Sequence, residues 1–156
     1  MVEALARTLS RVLDVELDAL PSGHETYDAL VLPDVLAHVR DPAALLRGLL
    51  PSLAEDGVLA FAVPNVKHWS VLSPLLVHDR WVNGPLRYFT LEEVSDLLDE
   101  VGLDGIQVVP DESSPLPPEL SPLTNLASAA GAEYEETQLR LGACEYLVVA
   151  RRPALN

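Results

Sequence analysis

Two short runs constrain this chain more than anything else in it. Ala29-Leu30-Val31-Leu32 and Val58-Leu59-Ala60-Phe61-Ala62-Val63 are wholly apolar, and each ends in a proline followed by a polar residue, Pro33-Asp34 and Pro64-Asn65. An alternating strand hides one face. A continuous apolar run points to burial on both faces, as in a parallel sheet. A helix pattern separates the two runs. Asp41 suits an N-cap and Pro42 the first helical position. Leu45, Leu46, Leu49, Leu50 and Leu53 then fall inward, and Pro51 is placed to kink the last turn or end the helix early. Glu55-Asp56-Gly57 reads as a tight turn into the second run.

The alternation continues. Val66–Val77 is partly helical, with Pro74 as a kink or break, and residues 78–89 are irregular. Thr90 opens a helix with Glu93 three residues on, the spacing of a capping box, and Gly102 ends it. Gly105–Pro110 is a third strand. Residues 111–122, DESSPLPPELSP, form a long loop rich in proline and serine. A helix follows around Leu123–Leu141, and Glu145–Ala150 is the last strand. Upstream, residues 2–10 read as a short helix with Leu5 and Leu9 inward, and Arg11–Leu17 as a short strand. Strands alternating with helices give an α/β fold with a mostly parallel sheet. The unclean connection before the last strand suits one antiparallel strand near the edge.

Composition narrows the function classes. The 156 residues fit one domain, 1–156, and 49% apolar content is not that of a disordered chain. No apolar run approaches the ~20 residues of a membrane span. The N-terminus carries Glu3 and does not read as a secretory signal, so the cytoplasm is the expected location. Cys144 is alone, so no internal disulfide forms, and it reads as a small buried side chain. The histidines at 24, 38, 68 and 78 have no zinc spacing, and no metal is expected. A net charge of −14 makes nucleic acid and acidic membranes poor partners. Lys67 is the single lysine among ten cations.

Three stretches, taken in order, carry a resemblance: YDALVLPDVLAHVRDPAALLRGLLPSLAEDGVLAFAVPN, LRYFTLEEVSDLLDEVGL and EYLVVARRP. Residues 27–110 and 145–153 are similar to the C-terminal two-thirds of a class I S-adenosylmethionine-dependent methyltransferase. The resemblance implies that Tyr27–Leu32 and Val58–Val63 are the fourth and fifth strands of that fold. Gly105–Pro110 and Glu145–Ala150 would be the sixth and seventh, the seventh antiparallel between the fifth and sixth. RVLDVEL would be the third strand, with Glu16 in the position that approaches the adenine. Pro33 and Asp34 would face the cofactor, in keeping with ligands lying at the carboxyl ends of parallel strands. Relatives often carry Glu-His in the next turn. Here the pair is Ala37-His38, and the glutamate is missing.

A larger piece is missing too. The family's cofactor loop follows its first strand and is glycine-rich, and an acidic residue after the second holds the ribose. No two glycines here are spaced as G-x-G. The expectation is a truncated Rossmann-like methyltransferase sheet that lacks the first two strands, and S-adenosylmethionine is not expected to bind this chain alone. With the order 3-2-1-4-5-7-6, removing strands 1 and 2 leaves the apolar fourth strand as an edge. Such an edge needs cover, from residues 12–17, a second copy, or a protein partner.

Several side chains are candidates for work at the sheet mouth. Asp34 and His38 are one helical turn apart and could act as acid and base; the plainer alternative is that Asp34 caps a helix and His38 is solvated. Asn65 follows the fifth strand where relatives position substrates, or is simply a turn residue after Pro64. Trp69, Trp81, Tyr88 and Phe89 could form an aromatic lid, or pack in a core. Arg80 and Arg87 could hold an acidic acceptor, or pair with nearby carboxylates. Three functions follow. The preferred one is a non-catalytic binding or assembly module. The second is an active methyltransferase of small molecules, completed by another chain or an upstream segment. The third is a pocket for a different small ligand at the fifth-strand mouth.

Overall fold

The computed structural model describes residues 26–111 and 114–153. The expected helix at 2–10, the strand at 11–17 and Glu16 lie outside the described residues. Four strands form one sheet: β1 (Tyr27–Leu32), β2 (Leu53–Pro64), β3 (Asp104–Asp111) and β4 (Glu145–Arg151), in the order β1-β2-β4-β3. β1 runs parallel to β2, and β4 is antiparallel to both β2 and β3. Three strands therefore point one way and β4 alone opposes them, so the sheet is the expected truncated α/β arrangement with its antiparallel strand next to the edge.

One face of the sheet is closed. Leu59, Phe61 and Val63 of β2 stand beside Ala150, Val148 and Tyr146 of β4, and all six are at most 2% exposed. Two helices cover them: α1 (Pro42–Leu49), through Leu46, and α3 (Leu91–Val101), through Val94, Leu97 and Leu98. Each large side chain buried there contributes about 1.5–3 kcal/mol relative to exposure. The other face differs from the expectation of burial on both sides. Val31, Val58, Ala60 and Val149 are half-buried, Ala29 is exposed, and Leu147 is 40% exposed. β1 ends the sheet among the described residues, and its apolar side chains are less buried than a central strand's would be.

Local signals set most boundaries. Asp41 Oδ1 accepts from Ala44 N at 2.9 Å and starts α1, which stops at Leu49; Pro51 then sits in a short 3-10 turn, so the helix ends well before Leu53. The expected turn at Glu55-Asp56-Gly57 is absorbed into β2 as an irregularity. Pairing jumps from Tyr27–Leu53 to Ala29–Val58, and Asp56 takes φ 59°. A Cβ on Gly57 would meet Ala54 O at 2.7 Å, so the close approach requires glycine. α2 (Trp69–His78) keeps Pro74 inside it. The single helix expected over 123–141 is two, α4 (Ser121–Ala129) and α5 (Tyr134–Gly142), with Gly131 at φ 97° between them. The loop expected over 111–122 is shorter than that, because a 3-10 turn occupies Pro118–Leu120 and α4 begins at Ser121.

The capping box of α3 is complete. Thr90 Oγ1 accepts from Glu93 N at 3.1 Å, Glu93 Oε2 accepts from Thr90 N at 2.7 Å, and Gly102 closes the helix at φ 72°. Thr90→Ala removes the side-chain acceptor and is expected to cost about 1 kcal/mol. Urea denaturation should show a lower midpoint with an unchanged slope.

Candidate functional site

β1, β2 and β3 all end at one edge of the sheet, and β4 starts there. That edge is the mouth. After β1, Asp34 adopts φ 51°, and a 3-10 turn over Leu36–His38 is anchored by the fully buried Leu36 and Ala37. His38 Nε2 lies 3.2 Å from Asp34 Oδ2, both side chains about half exposed. The structure thus brings together the two expected acid/base candidates. Asp34 is not a helix cap, because the turn's N-cap is Val35 and no side chain bonds there. An exposed pair of this kind contributes little stability. It can orient the imidazole and carry a proton, given a substrate beside it.

Asn65, after β2, has a different setting. It is fully buried. Its Nδ2 donates to Arg140 O at 2.6 Å and to Ala143 O at 2.7 Å, and its Oδ1 accepts from Lys67 N at 2.8 Å. The amide is therefore committed to tying the end of β2 to the end of α5. A neighbouring stitch joins the turn after β1 to the same place. Arg87 N donates to Ala37 O, Phe89 N to Pro64 O, and Val66 N to Phe89 O, at 2.9–3.1 Å. Phe89 sinks into the core, and the Arg87 guanidinium lies 5.8 Å from its ring centroid. Arg87 thus meets a ring where a carboxylate was the plainer expectation.

The aromatic candidates form separate pairs. Trp81 stands edge-on to Tyr88 with ring centroids 6.2 Å apart, and the Tyr88 hydroxyl occupies the space a Cβ on Gly84 would need. Trp69 packs on His68 at 5.3 Å. His68 is buried, and burial lowers its pKa below the ordinary imidazole value.

Two cavities of about 340 Å³ each open beside these elements. The first lies at the mouth, between the segment after β2 and the α4–α5 pair, with Lys67, Leu72, Leu123, Thr137, Arg140 and Leu141 on its walls. Arg140 Nη2 donates to Glu136 Oε1 at 2.5 Å and Nη1 to Glu92 Oε1 at 3.3 Å. Burial pulls its pKa down, but Glu136 and Glu92 outweigh burial and hold the guanidinium above its ordinary value. The Glu92 carboxyl is held below the usual range, first by its own backbone N–H, against burial, with Lys67 and Arg140 adding to the effect. The second cavity is polar and lies between the start of α1 and α3, beside Arg40, Asp41, Arg87, Glu93 and Asp96. Pro33, Asp34, His38, Asn65, Trp69, Trp81 and Tyr88 line neither cavity.

Glycines are dispersed among separate elements. Gly48 lies in α1 and Gly57 inside β2, Gly102 and Gly131 follow helices, and Gly142 ends α5. None opens a glycine loop at the carboxyl end of a strand, where backbone approach to a cofactor is needed. Lys67, Arg140 and Glu136 gave no readable signal in sequence beyond the singularity of Lys67, because the tertiary fold alone brings residues 67 and 140 together.

An open α/β sheet in the order β1-β2-β4-β3 is the second half of a methyltransferase sheet. The profile of the methyltransferase domain family matches residues 4–108, and the chain belongs to that family. No curated protein matches it. Among solved structures it is similar to an S-adenosylmethionine-dependent methyltransferase of Mesorhizobium loti, at 18% identity and a TM-score of 0.53, over 97% of this chain and 77% of that one. An S-adenosylmethionine-dependent methyltransferase of Thermotoga maritima gives 16% identity and a TM-score of 0.60, over 97% of this chain and 68% of that one. The cyclase SpnF gives 19% and 0.55, over 99% of this chain but 61% of its own length. These likenesses establish the fold.

Asn65→Ala would leave two carbonyls and an amide without their partner. The expected loss is about 2–4 kcal/mol. Urea denaturation checks it, and proteolysis should cut α5 sooner in the variant.

Proposed function

We propose that this chain is a methyltransferase-fold binding or assembly module that does not transfer methyl groups by itself. The observation that carries the reading is the absence of any G-x-G pair in the sequence, alongside a mouth whose described glycines offer no cradle. Two geometric facts support it. The Asp34–His38 pair stands on the surface and lines neither cavity, and Asn65 is committed to holding the fold. A cavity at the mouth favours small-ligand binding within this reading over assembly alone. The proposed setting is the cytoplasm, with no nucleic-acid or membrane partner, in keeping with the net charge of −14. Among the described residues, no helix is long and apolar enough to cross a membrane.

A second reading has its own support. The half-exposed apolar β1 edge is where missing strands would dock, either from another chain or from an upstream segment. In that case the chain takes part in an active methyltransferase of a small molecule, with Glu16, Pro33 and Asp34 toward the cofactor. Asn65, Trp69, Trp81 and Tyr88 then lie on the acceptor side.

Calorimetric titration with S-adenosylhomocysteine, the product of methyl transfer, separates the two. No heat from folded protein at millimolar ligand is expected. Micromolar binding would overturn the module reading. The assembly part is tested at the edge, which we propose is covered by a second copy or a protein partner. Val31→Lys places a charge on that strand and should reduce oligomer size in sedimentation or lower the melting temperature. A variant identical to the parent in both would remove the covered edge from the proposal.

A further inference from the structure

A helix that is apolar all round is ordinarily a buried one. α2 departs from that. Its residues, WSVLSPLLVH, include no Asp, Glu, Lys or Arg, yet Val71 alone among them is buried. Leu76 and Val77, near its end, are 61% and 62% exposed. The exposure continues past the helix, with Trp81 at 57% and Leu86 at 73%. Asp79 ends α2 at φ 52°, and Arg80 N donates to Pro74 O at 3.2 Å, so Trp81 stands close to the helix end. Trp81 packs edge-on against Tyr88, which closes residues 81–88 into a loop that carries Leu86. Single exposed apolar side chains are ordinary. Four of them in one short stretch, residues 76–86, mark an interaction surface.

This surface is not the wall of a cavity, since Leu76, Val77, Trp81 and Leu86 line neither of the two. Its charge is also unlike that of the chain as a whole. Residues 66–90 carry Lys67, Arg80 and Arg87 against Asp79 alone, in a chain of net charge −14. Arg80 and Arg87 are exposed, and neither forms an ion pair among the described residues. Arg87 shares the second cavity with Glu93 and Asp96, whereas Arg80 lines neither cavity. At physiological salt, exposed charges more than about 8 Å apart are largely screened. A segment docking here therefore meets the local balance and not the whole chain's.

We infer that the end of α2 and the loop over residues 79–87 dock an acidic amphipathic segment of another protein. Its apolar side chains lie on Leu76, Val77, Trp81 and Leu86, and its carboxylates reach Arg80 and Arg87. Tryptophan and arginine are among the residues that most often anchor protein contacts, and both stand free here. A second copy of this chain fits less well, because two-fold stacking would set Arg80 and Arg87 opposite their own copies. The inference rests on the module reading, since it names that module's partner by its chemistry, and it uses a surface separate from the β1 edge.

The probe is a peptide with leucine at helical spacing and glutamate between, titrated into the full chain. Its lysine version and phosphatidylserine vesicles are the controls. The acidic peptide should bind one to one and shift tryptophan emission to the blue, a shift that Trp81→Phe removes. The lysine version should bind at least about tenfold more weakly. Arg80→Gln with Arg87→Gln should weaken the acidic peptide by about fivefold. Leu76→Ser with Leu86→Ser should weaken it by about tenfold or more, and the peptide-free melting temperature should stay unchanged because both side chains are exposed. Absence of binding at millimolar peptide would overturn the inference, as would equal binding of the lysine version or either double variant binding like the parent. Tighter binding to the vesicles than to the peptide would give the surface to a membrane and overturn it too. So would self-association of the parent, seen in sedimentation and lost in Leu76→Ser with Leu86→Ser, which would make a second copy the occupant. Failure here leaves the module reading in place. Binding of S-adenosylhomocysteine would instead overturn the module reading, whatever the peptide does.

Discussion

The buried amide of Asn65 holds the mouth of this protein together. Residues 64 and 145 are neighbours because β2 and β4 pair, and that pairing brings the end of α5 over the end of β2. The amide then makes three hydrogen bonds at full burial, two to carbonyls of α5's last turns and one from Lys67 N. A buried amide without partners would cost several kcal/mol, so the arrangement is specific in a way that apolar packing is not. Replacing it by leucine would leave Arg140 O and Ala143 O unpaired in a dry site. Arg140 and Lys67 take their places at the cavity as a consequence, one through its carbonyl and one through its amide. The charged end of the cavity therefore depends on a neutral group behind it.

The two sheet faces divide the molecule's tasks. The closed face carries a core that, among the described residues, is continuous from α1 and α3 through β2 and β4. The open face is apolar and half-buried, which is costly in isolation and useful where another surface covers it. A β1 edge with Leu30, Val31 and Leu32 half-buried is in the same position. A sheet with one closed face can fold on the strength of that face.

Strand positions and helix starts are legible because their causes are local or periodic, whereas the strand order is legible only through the resemblance to the methyltransferase sheet. Asp41-Pro42 and Thr90/Glu93 act within one turn of chain, and apolar runs specify strands wherever they fall. Glu55-Asp56-Gly57 has the conformation its turn residues imply, with Asp56 at a left-handed φ, but it lies inside β2. The sequence could not show that the ladder with β1 would resume on both sides of it. The burial of β1 was over-read for a related reason, because apolar content records what a strand tolerates and not what stands beside it. Asp34 and His38 were paired from spacing alone. Asn65 looked like a substrate contact because a polar residue at a strand end is ambiguous until its partners, 75 and 78 residues away, are known. Lys67 and Arg140 were invisible on the same ground.

This division bears on which elements of a methyltransferase fold shape the mouth. In an open α/β sheet the ligand site is assembled from loops, and the strands carry them without depending on them. Here, among the described residues, the loops at the mouth are fixed by Asn65 to α5, Phe89 to Pro64, and Arg87 to Ala37. Selection could act on what the mouth binds independently of whether a methyl donor is held next to it. The closed core supplies the stability that independence requires, because Phe61, Val148 and Ala150 are as buried as any side chain in a complete domain.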